Sequence, residues 1–262
     1  MTPRQVALYR VLVTQISAET RASRGFPGRS LSGTVTRTDP IARRMRRIRI
    51  EGEDVARLAW TPGQHVRVHV LDLREPRNWL RPRDLLRTYS VWDYDGGLEL
   101  CVLDHDGAGG DLPPGARWAR EAVTGQRVTF GRPEGSFVLR DAPYHVMAGD
   151  ETASVAFGAM LRALPADAIC HAVIEVDEEG ERLPLAREVR WLYRHGRPAA
   201  SSQSLTDGLA SLDLPAQPGA AYLAGEARTI QMLRRQLVEE RGWPRQAIAT
   251  KPFWTPGKRG LD

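Results

Sequence analysis

Apolar residues fall at every second position in GTVTRT (33–38), MRRIRIEG (45–52) and QHVRVHVL (64–71), with Val66, Val68 and Val70 the clearest run. A period of two is what a strand with one face on a core requires. RTYSVW (87–92) and LELCVL (98–103) continue the series across the turn signal Asp95-Gly96-Gly97, and QRVTF (126–130) leads into the Gly/Pro-rich GRPEG. Short strands at close spacing predict a small antiparallel barrel. One helix interrupts them, over ARWAREAV (116–123).

After Asp141 the rhythm changes. YHVMAGD (144–150) predicts a strand and ETASVAFGAMLRAL (151–164) a helix. ICHAVIEVD (169–177), VRWLY (189–193) and AYLAGE (221–226) predict further strands. EARTIQMLRRQLVEERG (226–242) predicts a helix stopped by Gly242 and Pro244, and QAIATKPFW (246–254) follows it. Strand and helix in alternation predict parallel βαβ units with right-handed crossovers. Ligands on such sheets sit at the carboxyl ends of the strands, so Gly149–Ala153 and Gly225–Ala227 are the candidate ligand turns. The expected division is an extension of linker composition over 1–30, a barrel domain over 31–140 and an α/β domain over 141–262.

Composition narrows the classes without naming one. Of 262 residues, 42% are hydrophobic and 26% charged, as in a globular protein with a real core. No apolar run approaches the length needed to span a bilayer. The opening apolar stretch carries Arg10 and lacks a small-residue cleavage site, which argues against a signal peptide and for a cytoplasmic protein. The net charge is +5, with eleven arginines against Glu19 and Asp39 in the first 50 residues. Such a stretch can draw anionic partners or simply be solvated, and no interleaved aromatics mark it for nucleic acid. Lysine occurs only at Lys251 and Lys258.

Several mechanisms are absent. GRPEGSF lacks the lysine of a phosphate-binding P-loop, and there is no Gly-x-Ser-x-Gly elbow. Cys101 and Cys170 are too few for an iron–sulfur cluster. His65 and His69 lie four apart on a strand, roughly 13 Å, too far to share a metal. His145 and His171 fall in later strands as core or edge residues, so no metal site is expected.

Four landmarks then occur in order: RTYSV at 87–91, His105 followed by ARWA at 116–119, AGDETA at 148–153, and AGEA at 224–227. With a barrel followed by an open α/β half, they resemble the siderophore-interacting proteins, FAD-dependent ferric-siderophore reductases of the ferredoxin-reductase superfamily. The resemblance covers about Gly33 to Gly260. It implies an antiparallel six-stranded FAD-binding barrel followed by a parallel α/β nicotinamide-dinucleotide-binding domain. It further implies a cytoplasmic monomeric enzyme, without nucleic-acid or integral membrane association, that takes hydride from NAD(P)H onto FAD and passes single electrons to Fe(III). Electron delivery to another acceptor, such as a protein or quinone, and a non-catalytic siderophore or flavin carrier stand as alternatives.

The residue types suit these roles. Arg87 offers a planar fork of donors to the FAD pyrophosphate, Tyr89 a rigid face to the isoalloxazine ring, and Ser90 a hydroxyl near flavin N5, with Thr88 and Val91 completing the segment. His105 is expected against the flavin or its ribityl chain. Gly115, Ala116, Arg117 and Trp118 open a helix whose free N–H groups can meet phosphate, Trp118 being equally readable as a core aromatic. The loop HDGAGGDLPPGARWA is longer than the family's, with Gly115 in place of a small polar residue. At the first turn, Gly149, Asp150, Glu151, Thr152 and Ala153 are expected beside the nicotinamide, with Asp150 and Thr152 also readable as helix caps and Thr152 as a donor. Gly225, Glu226 and Ala227 form the second wall or a plain strand-to-helix turn. Trp254 is expected over the flavin, and Lys251, Lys258 and Arg259 on a cationic rim that attracts a trianionic ferric tris-catecholate. Between NADH and NADPH the sequence is even. Glu175 and Asp177 suit a ribose diol, whereas Arg194 and Arg197 with Ser201 and Ser202 suit a 2′-phosphate.

Overall fold

A computed structural model describes residues 30–71, 86–105 and 112–257. Six strands, β1 (Leu31–Ala42), β2 (Met45–Glu51), β3 (His65–His69), β4 (Leu86–Tyr94), β5 (Leu98–Leu103) and β6 (Arg127–Phe130), close into an antiparallel barrel of order β1-β2-β5-β4-β3-β6. The alternation seen in the sequence becomes the barrel interior. Ile48 and Ile50, Val66 and Val68, Leu98 and Leu100, and Val128 and Phe130 all point inward and are buried. Helix α1 (Pro114–Glu121) plugs the barrel with Trp118 and Ala119. It starts two residues before the expected ARWAREAV because Pro114, at the first helical position, already has the φ a helix needs.

The α/β half is a five-stranded parallel sheet of order β11-β10-β7-β8-β9, built from β7 (His145–Asp150), β8 (Cys170–Val176), β9 (Arg190–Tyr193), β10 (Ala220–Glu226) and β11 (Ile248–Trp254). Helix α2 (Ala153–Ala163) covers one face, while α3 (Gln203–Ala210) and α4 (Ala227–Glu239) cover the other. With both faces covered, β7 and β10 are buried along their whole length, as parallel strands are. The eight-residue α3 is absent from the sequence reading; it is too short to show a helical period, and its register is set by the Ser202 cap. Among the described residues, no helix is long and apolar enough to cross a membrane.

Barrel and sheet meet through a small apolar cluster of Met45, Trp92, Cys101, Val155 and Leu183. Trp92 at the end of β4 lies on α2, where the Arg162 guanidinium sits 4.4 Å from its ring centroid and Gly158 clears its edge. A Cβ at Gly158 would stand 2.3 Å from Trp92 Cζ3. Gly158→Ala therefore gains about 1 kcal/mol of helix propensity but overpacks a wedged indole, which costs about 1–3 kcal/mol. A net fall in the urea midpoint is expected, measured by equilibrium unfolding.

Candidate functional site

The sheet order reverses between β7 and β10, because β8 and β9 continue on one side and β11 on the other. That switch point, at the carboxyl ends, is where open α/β sheets bind ligands. It brings Gly149–Thr152 beside Gly225 and Glu226, turns separated by 76 residues between Asp150 and Glu226. Two glycines allow the approach. A Cβ at Gly149 would lie 2.2 Å from Ala224 O, and one at Gly225 (φ 124°) would lie 2.5 Å from the Asp150 carboxylate.

Asp150 fills the centre of this crevice and is 3% exposed. Its Oδ2 accepts from the Glu226 amide and from Trp254 Nε1, both at 2.8 Å; its Oδ1 accepts from the Thr152 amide at 2.9 Å and from the Thr152 hydroxyl. One carboxylate thus ties together the ends of β7, β10 and β11. Burial and the neighbouring Glu151 push it up to about 6 from the ordinary carboxylate value. Thr152 occupies the cap position of α2 but makes no side-chain cap bond, so the expected capping by Asp150 and Thr152 is replaced by this staple.

Glu151 is also turned inward. The Arg194 guanidinium grips it bidentately at 2.7 Å from each nitrogen, and Arg44 of the β1–β2 turn reaches it at 3.5 Å. Arg44 also pairs with Glu181, through Nη2 at 2.6 Å. Glu175, 1% exposed, accepts from the Ser202 hydroxyl at 2.7 Å, and Ser202 caps α3. The residues weighed for cofactor choice are therefore mostly engaged internally: Glu175, Arg194 and Ser202 are buried. Glu226 is the side-chain cap of α4, accepting from the amides of Arg228 and Thr229 at 3.0 and 2.8 Å. Burial raises its proton affinity, but these amides and that of Ser201 outweigh it and hold the carboxyl below its usual range. Glu226 thus serves as the cap of the strand-to-helix turn.

On the barrel side, Tyr89 stacks on Trp118 at 5.6 Å and 25°. Trp118 is 5% exposed and packs in the barrel core. The Tyr89 hydroxyl abuts Gly115, where a Cβ would stand 2.5 Å from it and 3.3 Å from Arg87 Cγ. Glycine at this position is what allows the start of α1 to close over Arg87 and Tyr89. Arg87 Nη1 donates to Leu86 O at 2.7 Å. Burial raises the Tyr89 phenol above its usual value, with Arg87 partly opposing. Thr88 and Arg117 are exposed, Val91 and Ala116 buried. His105 is exposed beyond β5, its Nδ1 3.2 Å from Leu103 O.

A FAD requirement can be tested on these atoms. Tyr89 Oη and Ser90 Oγ are enclosed polar atoms with no hydrogen-bond partner, an arrangement that costs about 1–3 kcal/mol per group unless something completes it. The first amides of α1 lie at a helix start that carries no side-chain cap and can meet an anion. Arg87, Tyr89, Ser90, Gly115 and Ala116 therefore fit a flavin dinucleotide.

Two expectations shift. Lys251 stands inside the site rather than on an open rim, its Nζ 2.9 Å from His65 Nδ1 and flanked by the Phe137 and Phe253 rings. Trp254 is held edge-on by Asp150. Lys258, Arg259 and the loop 106–111 lie outside the described residues. His65, Glu134, Phe137 and Phe253 join the site without having been singled out for it in the sequence. His65 occupies an outward position of an alternating strand, and only its pairing with Ser90 reveals its place.

Known proteins match this arrangement. The family described as Siderophore-interacting FAD-binding domain matches residues 34–137, and that described as Siderophore-interacting protein matches residues 142–257. Ferric vibriobactin reductase ViuB of Vibrio cholerae is 26% identical over 240 residues, 83% of this chain and 86% of that protein. A siderophore utilization protein from T. fusca superposes with a TM-score of 0.74 at 27% identity, over 90% of this chain and 97% of that one. Ferredoxin-NADP+ reductase from Plasmodium falciparum, at 10% identity, shares the fold, with a TM-score of 0.72 over 88% of this chain and 98% of that one. Barrel, switch-point sheet and both family matches run in one order along one chain, and the protein belongs to the siderophore-interacting protein family.

Proposed function

We propose that the protein is an NAD(P)H-dependent, FAD-bearing reductase of ferric siderophores. The observation that carries this reading is the pair of enclosed, unpartnered hydroxyls of Tyr89 and Ser90, the first against Gly115 at the start of α1 and the second on the strand position paired with His65, whose ring meets Lys251 of β11. Membership of the family, and the name of the Vibrio cholerae relative, support a ferric siderophore as substrate. In this reading residues 31–140 hold FAD and residues 141–262 receive the nicotinamide dinucleotide.

The chain's own residues act by placing groups. Arg87 and the amides of Gly115 and Ala116 bind the pyrophosphate, whose charge the guanidinium neutralises. Tyr89, braced from behind by Trp118, fixes the plane of the ring, and Ser90 donates to its reactive edge. FAD, when bound, converts a two-electron hydride into single electrons that Fe(III) accepts. Asp150 holds the turns at Gly149 and Gly225 and the Trp254 indole in one geometry, so a nicotinamide entering there meets a rigid wall. Glu151, paired with Arg194 and Arg44, and Glu175, 3.7 Å from Arg194 and hydrogen-bonded by the Ser202 hydroxyl, repel the dinucleotide less than free carboxylates would.

Anaerobic titration tests the reading. The purified protein should retain FAD, bleach near 450 nm on addition of NADH or NADPH (about one equivalent, since a nicotinamide carries two electrons), and regain its colour when a ferric siderophore is added, with Fe(II) released. A protein that carries no flavin, or whose flavin the nicotinamides leave oxidised, overturns it. Recolouring by a quinone but not by ferric siderophores moves the assignment to another acceptor.

A further inference from the structure

Lys251 and His65 are 186 residues apart in sequence, yet their nitrogens Nζ and Nδ1 lie 2.9 Å apart. An ammonium only donates, so His65 Nδ1 is the acceptor and the ring proton is on Nε2. Nε2 faces Glu134 Oε1 at 3.6 Å, a gap that a small rotation of the exposed carboxylate closes. The Glu134 side chain is 48% exposed and also forms an ion pair with Arg67, Nε at 2.8 Å. The three groups therefore run from interior to solvent. Their inner end faces the flavin side, because His65 pairs directly with Ser90 across β3 and β4. Residues paired in this way project from the same face. Gly135 (φ 106°) permits the approach of this turn to His65: a Cβ there would stand 2.9 Å from the imidazole.

The charged groups around the pair come from three elements: Arg67 on its own strand, Glu134 on the turn bridged to it, and Lys251 on β11. Burial, then Lys251, then Arg67 push His65 down to about 4. Burial pushes Lys251 down to about 8, with Glu134 opposing. His65 is thus a neutral relay at physiological pH, and Lys251 can both hold and give up a proton there.

We propose that Lys251, His65 and Glu134 form the path by which the proton produced in the reductase reaction leaves the site. The proposal rests on the function given above. Oxidation of one NAD(P)H by two Fe(III) yields NAD(P)+, two Fe(II) and one proton. The two electrons leave singly to iron, and the proton must leave separately. Lys251 passes a proton to His65 Nδ1 while the proton on Nε2 passes to Glu134 and water; the resulting free amine takes up the new proton. At Nζ one N–H bond breaks and one forms; on the imidazole one forms at Nδ1 as one breaks at Nε2. Proton exchange with water returns the ring to its starting tautomer before the next turnover, so no further reactant is needed.

Two measurements test it. In NMR titrations of the FAD-free protein, Lys251→Met should raise the His65 midpoint only part of the way from about 4, because burial, the largest cause of the depression, and Arg67 both remain; an unchanged midpoint overturns the coupling, whatever the enzyme's activity. In stopped-flow half-reactions of the FAD-loaded protein in H2O and D2O, Glu134→Gln and His65→Gln should slow reoxidation more than they slow hydride transfer in the same variant. Reoxidation by a ferric tris-catecholate should slow about tenfold, with a larger solvent isotope effect, less than the roughly 10²–10⁴-fold of a group that transfers a proton in the transition state. Glu134 is exposed and its amide variant keeps the fold, so normal reoxidation with an unchanged isotope effect in that variant overturns the path. A wild-type protein without flavin or without hydride transfer overturns the parent reading instead, and the NMR result still decides the coupling.

Discussion

Arg87→Ala is expected to purify as a folded protein that has lost its FAD. The guanidinium is half-buried on β4, oriented by its bond to Leu86 O and backed by Gly115. The Arg87 side chain lies against Gly115 at the uncapped start of α1. Hydrogen bonds to charged groups contribute about 1.5–3 kcal/mol each, so losing a forked contact weakens binding roughly a hundredfold, as every 1.4 kcal/mol is tenfold. The ratio of flavin to protein absorbance after gel filtration and the Kd from flavin fluorescence quenching measure the loss, while circular dichroism confirms the fold. Arg87→Lys should recover only part of the affinity, because a point charge cannot reproduce the fork. Normal flavin retention in Arg87→Ala would place the pyrophosphate elsewhere.

The second large effect belongs to Asp150→Asn. Four donors converge on this carboxylate from Thr152, Glu226 and Trp254. An amide of the same shape offers one oxygen and sets its NH2 against two of those donors. Leaving buried donors unmet costs about 1–3 kcal/mol each, so a loss of about 3–5 kcal/mol is expected. At about 2–4 °C per kcal/mol for a chain of this size, the Tm falls by roughly 6–20 °C, read by differential scanning calorimetry. Trp254 loses its anchor in the same variant, so its fluorescence should shift to the red before unfolding begins. Raised in the folded protein above its unfolded value, Asp150 takes up its proton more readily when folded. Its ionisation therefore subtracts stability as pH rises from about 4 to about 6, and Asp150→Asn should remove that slope.

Much of this molecule is visible in the chain itself. Alternation in β2, β3 and β5 and the switch to βα alternation after Asp141 are local signals. The structure keeps both: Ile48, Val66 and Leu100 face the barrel core, and His145–Asp150 and Ala220–Glu226 become the central parallel strands. The landmarks RTYSV, ARWA, AGDETA and AGEA were legible because they stand in the family's order, and the family matches cover the segments that carry them. What the four residues Asp150, Glu151, Glu175 and Glu226 do was not legible. A carboxylate looks the same in sequence whether it meets a ribose, a guanidinium or a helix end. Arg194 and Ser202 supplied the partners from loops 43 and 27 residues away.

By itself the sequence determined the barrel, the parallel half, their order, and the strand that carries Arg87, Tyr89 and Ser90, because periodicity and turn chemistry act over a few neighbouring residues. Only the tertiary structure decided that Trp118 is core, that Asp150 is a staple and that Lys251 lies on His65 rather than at a rim. Those outcomes depend on the closure of β3 against β4 and on the order β11-β10-β7. Register across a barrel and strand order across a switch point are set by packing between segments far apart in the chain, and no local pattern encodes them.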